Sequence, residues 1–97
     1  MDDKDYENKI KSIALEIENK LTEEYNLNHI EILDVAYYIV KKINNELENN
    51  EVNTDNKEYT DNSKKIALEI ENHLRITYGL NGLQVLDVAY YIENMII

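Results

Sequence analysis

The chain has 97 residues, with no cysteine, proline or tryptophan, and sets 20 acids against 10 Lys and Arg for a formal charge of −10. A chain this short has room for one small core but not for a deep catalytic cleft as well. It makes no disulfide or thiolate metal site, and its charge repels nucleic acid and anionic membranes alike. A hydrophobic share of 43% is too high for a disordered chain.

The N-terminus, Met1-Asp2-Asp3-Lys4-Asp5, is acidic and has no apolar run, so it is not read as a signal peptide. With no cysteine and no long apolar stretch, the expected location is the cytoplasm.

The first predicted helix follows. Ile10, Ile13, Ala14, Ile17, Leu21 and Tyr25 recur at steps of three and four, one apolar stripe. Glu7 with Lys11, and Glu16 with Lys20, are supporting pairs at i, i+4. The helix stops near Tyr25-Asn26-Leu27, and Asn28 with Glu31 reads as the capping box of the next one.

In the second helix, Ile30, Leu33, Ala36, Tyr37, Val40 and Ile43 form one face, which Ile32, Val35 and Ile39 extend. An apolar arc this wide has to be covered on two sides. Tyr37 is assigned to that core face, and Tyr38, with Asp34 and Lys41, to a polar strip at its edge.

The acidic, Asn-rich run that follows, Asn44 to Glu58, contains almost no apolar anchor and reads as a linker. Beyond it the first pattern returns. Ile13-Ala-Leu-Glu-Ile-Glu-Asn19 recurs as Ile66-Ala-Leu-Glu-Ile-Glu-Asn72, and Leu33-Asp-Val-Ala-Tyr-Tyr-Ile39 recurs as Leu86-Asp-Val-Ala-Tyr-Tyr-Ile92. Both recur at one offset (66 − 13 = 86 − 33 = 53), with 19 identities over residues 13–43 against 66–96. Gly79 fits a left-handed helix end, and Asn81 with Gln84 the next cap. Tyr90 and Tyr91 repeat the core and strip assignments of Tyr37 and Tyr38.

The expected fold is all-α, a tandem duplication of a helix–turn–helix (αα-hairpin) unit. Residues 1–46 form the first repeat, 47–60 the linker and 61–97 the second repeat. The two second helices pack together about a pseudo-twofold axis, giving four helices around one core. Leu33, Ala36, Tyr37 and Val40, and likewise Leu86, Ala89 and Tyr90, are expected to meet the other unit or the partner helix.

Chemistry is scarce. His29 and His73 do not occupy matching repeat positions and have no ligand-spaced partners, so they read as surface histidines. Ser12 and Ser63 sit in plain helical contexts. Glu16 and Glu18, like Glu69 and Glu71, are two residues apart and point to different sides of a helix, as solvated faces do. No catalytic residue, metal site or cofactor is expected.

Acidity without chemistry leaves two readings. The charge keeps a small protein soluble, or it attracts a basic partner, many of which bind nucleic acid. On the second reading the expected partner-binding residues are Glu16, Glu18, Glu23, Asp34, Tyr38, Glu69, Glu71, Asp87 and Tyr91. In size, acidity and lack of chemistry the chain resembles the small inhibitors that phages encode against host defence, anti-CRISPR proteins among them, some of which mimic the charge of DNA. That resemblance implies a non-enzymatic inhibitor of a basic nucleic-acid-binding protein. The alternatives are a helical homo-oligomer (a dimer or ring, with or without a sequestered ligand) and an antitoxin-like regulatory partner. The repeats also diverge: Thr22-Glu-Glu24 faces Arg75-Ile-Thr77, and Lys41-Lys42 faces Asn94-Met95, a hint of one binding end.

Overall fold

A computed structural model describes residues 3–48 and 59–96, and these form four α-helices with no strand. They are α1 (Asp3–Glu23), α2 (His29–Glu48), α3 (Asp61–Thr77) and α4 (Gly82–Ile96).

The helix ends are set by local chemistry. The Asn28 side chain accepts from the Glu31 backbone N–H at 2.9 Å, while the Glu31 carboxylate accepts from the Asn28 N–H at 3.0 Å. Asn81 and Gln84 make the same reciprocal pair, each bond 2.9 Å. Both capping boxes therefore form as read, satisfying donors that a helix N-terminus leaves open. Gly79 has φ +66°, and its counterpart Asn26 (79 − 26 = 53) has φ +55°. Both turns need a left-handed residue, which glycine adopts freely and asparagine tolerates. Thr60 caps α3 by accepting from the Ser63 N–H, a signal within the stretch read as linker.

Ile10, Ile13, Ala14, Ile17 and Leu21 line the buried side of α1, and Ile66, Ala67, Ile70 and Leu74 that of α3. These are the stripes that the periodicity predicts. Together with α2 and α4 they make one hydrophobic cluster.

The packing partners differ from the expected hairpins. The α2–α4 contact is the largest, as expected, and at one end an added Cβ on Gly82 would lie 3.9 Å from Ile43. But α1 packs chiefly on α4, and α3 chiefly on α2. The helices within each repeat, α1 with α2 and α3 with α4, touch only slightly. Each first helix covers the second helix of the other repeat. The wide arcs of α2 and α4 explain this. Each has two sides to bury, and the crossed arrangement covers one with its twin and the other with a neighbour from the opposite repeat.

The buried side of α2 is also rotated from the predicted one. Ile32, Val35, Ala36, Ile39 and Ile43 are buried; Leu33, Tyr37 and Val40 are only half-buried, and Ile30 is 72% exposed. In α4, Val85, Leu86, Val88, Ala89 and Ile92 are buried while Tyr90 is 41% exposed. The tyrosine assignments hold only in part: Tyr37, Tyr38 and Tyr91 are all half-buried, and Tyr90 departs from its assignment. Tyr38 and Tyr91, read as surface, pack against the core, and Tyr90, read as core, faces out.

Of the predicted linker, residues 47 and 48 continue α2, and Tyr59 is buried. Residues 49–58 lie outside the described residues.

Candidate functional site

The repeated acids of the first helices meet tyrosines across the seam between α1 and α3. Tyr78, just past the end of α3, donates its hydroxyl to Glu16 on α1. Tyr25, just past the end of α1, donates to Glu69 on α3 at 3.3 Å. The two contacts are related by the same offset of 53 (78 − 25 = 69 − 16). The bond to Glu16 raises the Tyr78 phenol above its usual range, and burial adds to this. Tyr25 is raised by burial first and by Glu69 second. Both carboxylates remain exposed, and Glu23 is exposed nearby on α1. The imidazole of His73 packs edge-on against Tyr78, the ring centroids 5.7 Å apart.

Glu18 and Glu71 occupy equivalent positions but differ in environment. Glu71 is only 7% exposed. It lies between the Lys42 ammonium at 2.9 Å and the Arg75 guanidinium at 3.1 Å, and Glu46 bonds Lys42 at 2.7 Å. Burial works against the charge on Lys42, but the two carboxylates outweigh it and raise its pKa. Glu71 was expected on a binding surface, yet here it ties α3 to α2. Beside Glu18 the equivalents of Lys42 and Arg75 are Met95 and Thr22, and Glu18 stays half-exposed.

Two tyrosine-lined recesses complete the surface. Between α1 and α4, Tyr6 donates to Asp87 at 2.6 Å, the short length expected of a charge-assisted bond. Burial, then the bond and charge of Asp87, push the Tyr6 phenol up to about 12. This recess has a volume of about 520 Å³ and is walled by Tyr6, Glu7, Asp87, Tyr90, Tyr91 and Asn94. Between α2 and α3 lies a recess of about 630 Å³, walled by Tyr38, Tyr59, Lys41, Lys42, Glu46 and Lys64. There Tyr38 meets Tyr59 edge-on, 5.3 Å between centroids, and the Lys41 ammonium stands 5.6 Å from the centre of the Tyr59 ring. Half-buried Asp34 lies one turn before Tyr38 on α2.

Sequence reading named Asp87 and Tyr91 but missed Tyr6 and Tyr59, which pack against them and their counterparts. The signal was present: Tyr6 and Tyr59 also stand 53 apart, outside the window in which the repeat was aligned.

The expected site residues therefore fall into separate groups. Glu16, Glu23 and Glu69 belong to the α1–α3 seam, Asp87 and Tyr91 to one recess, Tyr38 to the other, and Glu71 to the ion-pair cluster. Among the described residues no group of three or more His, Cys, Asp or Glu could hold a metal ion, and no helix is long and apolar enough to cross a membrane. No family model matches the chain, and no curated protein or solved structure matches it.

Proposed function

We propose that this protein is a non-enzymatic interaction module that docks an acidic face on a basic partner and blocks it. A nucleic-acid-binding protein is the kind of partner meant, because its groove is already built to accept phosphate charge. The observation that carries the reading is the charge of −10, together with the exposure of Glu16, Glu23 and Glu69 near the α1–α3 seam. Tyrosine hydroxyls hold two of these carboxylates without neutralising them, so they present oriented negative charge.

We further propose that the four helices arose by tandem duplication and are related by a pseudo-twofold axis between α2 and α4. Four observations favour this: the constant offset of 53, the paired capping boxes, the paired left-handed turns and the crossed tyrosine–glutamate bonds.

The homo-oligomer reading rested on an apolar arc too wide for one hairpin. Much of that arc is covered by α2–α4 packing within a single chain, so the acidic module is preferred.

The test is affinity capture from source-cell lysate at low and high salt, followed by a nucleic-acid-binding assay on the purified partner. A basic partner held at low salt, released at high salt and inhibited in binding its nucleic acid supports the proposal, because charge steering is screened over about 8 Å at physiological ionic strength. A partner retained equally at both salts counts against it.

A further inference from the structure

The two tyrosine recesses occupy equivalent places in the two repeats, and their charges are opposite. Tyr6 corresponds to Tyr59 (59 − 6 = 53), Tyr91 to Tyr38 and Asn94 to Lys41. In the α2–α3 recess the chain places a cation of its own against the aromatic wall, the Lys41 ammonium 5.6 Å from the Tyr59 ring centre. Lys42 and Lys64 add two more cations there; among the described residues Glu46 is the carboxylate of the walls, and Glu71 pairs with Lys42 from α3. In the α1–α4 recess, position 94 is a neutral, exposed asparagine. Its walls are three tyrosines and Ile10 with the carboxylates of Glu7 and Asp87, and among the described residues they contain no cation.

We propose that the α1–α4 recess receives a basic side chain of the partner, an arginine or lysine, at the place that Lys41 fills in the other repeat. The chemistry matches on three counts. Aromatic faces attract a cation within about 6 Å of the ring centre, guanidinium in particular. The Asp87 carboxylate, already oriented by the Tyr6 hydroxyl at 2.6 Å, keeps lone pairs for an N–H donor, and Glu7 lies at the rim. Tyr90, 41% exposed on the outer wall, supplies amphipathic contact area of the kind enriched at interfaces. The lysine-lined recess repels the same group, so the two halves are not interchangeable and the partner docks in one orientation. This assignment rests on the acidic-module reading and adds to it the half of the molecule that makes contact.

The test is a titration of the isotope-labelled full chain with an acetylated, amidated tetra-arginine peptide at low salt, followed by amide NMR. The largest shifts are expected at Tyr6, Glu7, Asp87, Tyr90 and Asn94. Asn94→Lys supplies the internal cation that Lys41 supplies elsewhere and should weaken binding roughly tenfold. Asn62→Lys, which adds the same charge at an exposed position on α3 outside the recess, should bind nearly as the wild type does. Shifts concentrated instead around Glu16, Glu23 and Glu69 would overturn the recess while leaving the acidic module standing. Unchanged binding by Asn94→Lys would also overturn the recess. Absence of peptide binding anywhere would overturn both.

Discussion

The Tyr78 hydroxyl donates to the Glu16 carboxylate across 62 residues of chain, joining the end of α3 to the middle of α1. Helices that are not each other's main packing partners are latched there by a polar contact at the surface, and Tyr25 with Glu69 repeats it at 3.3 Å.

This latch gives a first prediction. Tyr78→Phe should cost about 0.5 kcal/mol, the low end for a hydrogen bond because the site is exposed. A double-mutant cycle with Glu16→Gln should show that the two residues are coupled. The folded-state pKa of Tyr78 lies above the usual 10.0. Its stabilisation is therefore fully present below that value and lost as pH rises through the folded pKa. In an ultraviolet titration the Tyr6 phenol, pushed up to about 12, should ionise well above the ordinary range. If all tyrosines ionised together near the ordinary value, the Tyr6–Asp87 and Tyr78–Glu16 contacts would be absent in solution.

Burial separates two neighbours on α2. Ile32 is 0% exposed, whereas Leu33 is only half-buried. Ile32→Ala should cost about 2–5 kcal/mol in chemical denaturation, and Leu33→Ala distinctly less. On the second repeat Leu86 is buried at 8% exposure, and Leu86→Ala should carry the larger loss. Equal losses at Ile32 and Leu33 would show that α2 is rotated from the packing described.

Glu71 should behave as a structural group. Removing it leaves Lys42 and Arg75 sharing the more exposed Glu46, at 2.7 and 3.8 Å. Glu71→Ala is expected to cost about 1–2 kcal/mol, less than a fully buried pair because both cations are partly solvated. Glu18→Ala, at the equivalent position without that cluster, should be nearly silent. Thermal melts of the two variants side by side decide this.

Glu93 stands where the first repeat has Val40, and burial raises its carboxyl pKa. An acid with a raised folded pKa carries no penalty below the unfolded value near 4.5; the penalty develops as pH rises through the folded pKa. Glu93→Val should therefore raise Tm at pH 7 by a few degrees, on the order of what a small domain gains from modest stabilisation. The ionisation part of that gain should vanish under acid conditions. A gain independent of pH would assign the effect to packing rather than charge.

Much of the local structure was legible in the sequence. The stripes of α1 and α3, both capping boxes and the turn at Gly79 follow from chemistry within a few residues, and all are present in the fold. The α2–α4 contact was legible for a different reason: an apolar arc of that width has to be covered. The site was harder to read. Asp87 stood out by its recurrence, but its partner Tyr6 lies 81 residues away, and no local pattern links them.

Local sequence is enough to make this a helical, acidic chain whose two related segments carry matching apolar stripes. Helical periodicity and caps are short-range properties, set by 3.6 residues per turn and by backbone groups that need partners. Long-range packing sets the rest: α1 covers α4 and α3 covers α2, Tyr38 and Tyr91 pack against the core, and Glu71 is enclosed by cations while Glu18 is not. Short turns permit a helix to pack on its neighbour or to cross to the other repeat. A helix apolar over most of its circumference leaves its own rotation undetermined until both flanking helices are in place.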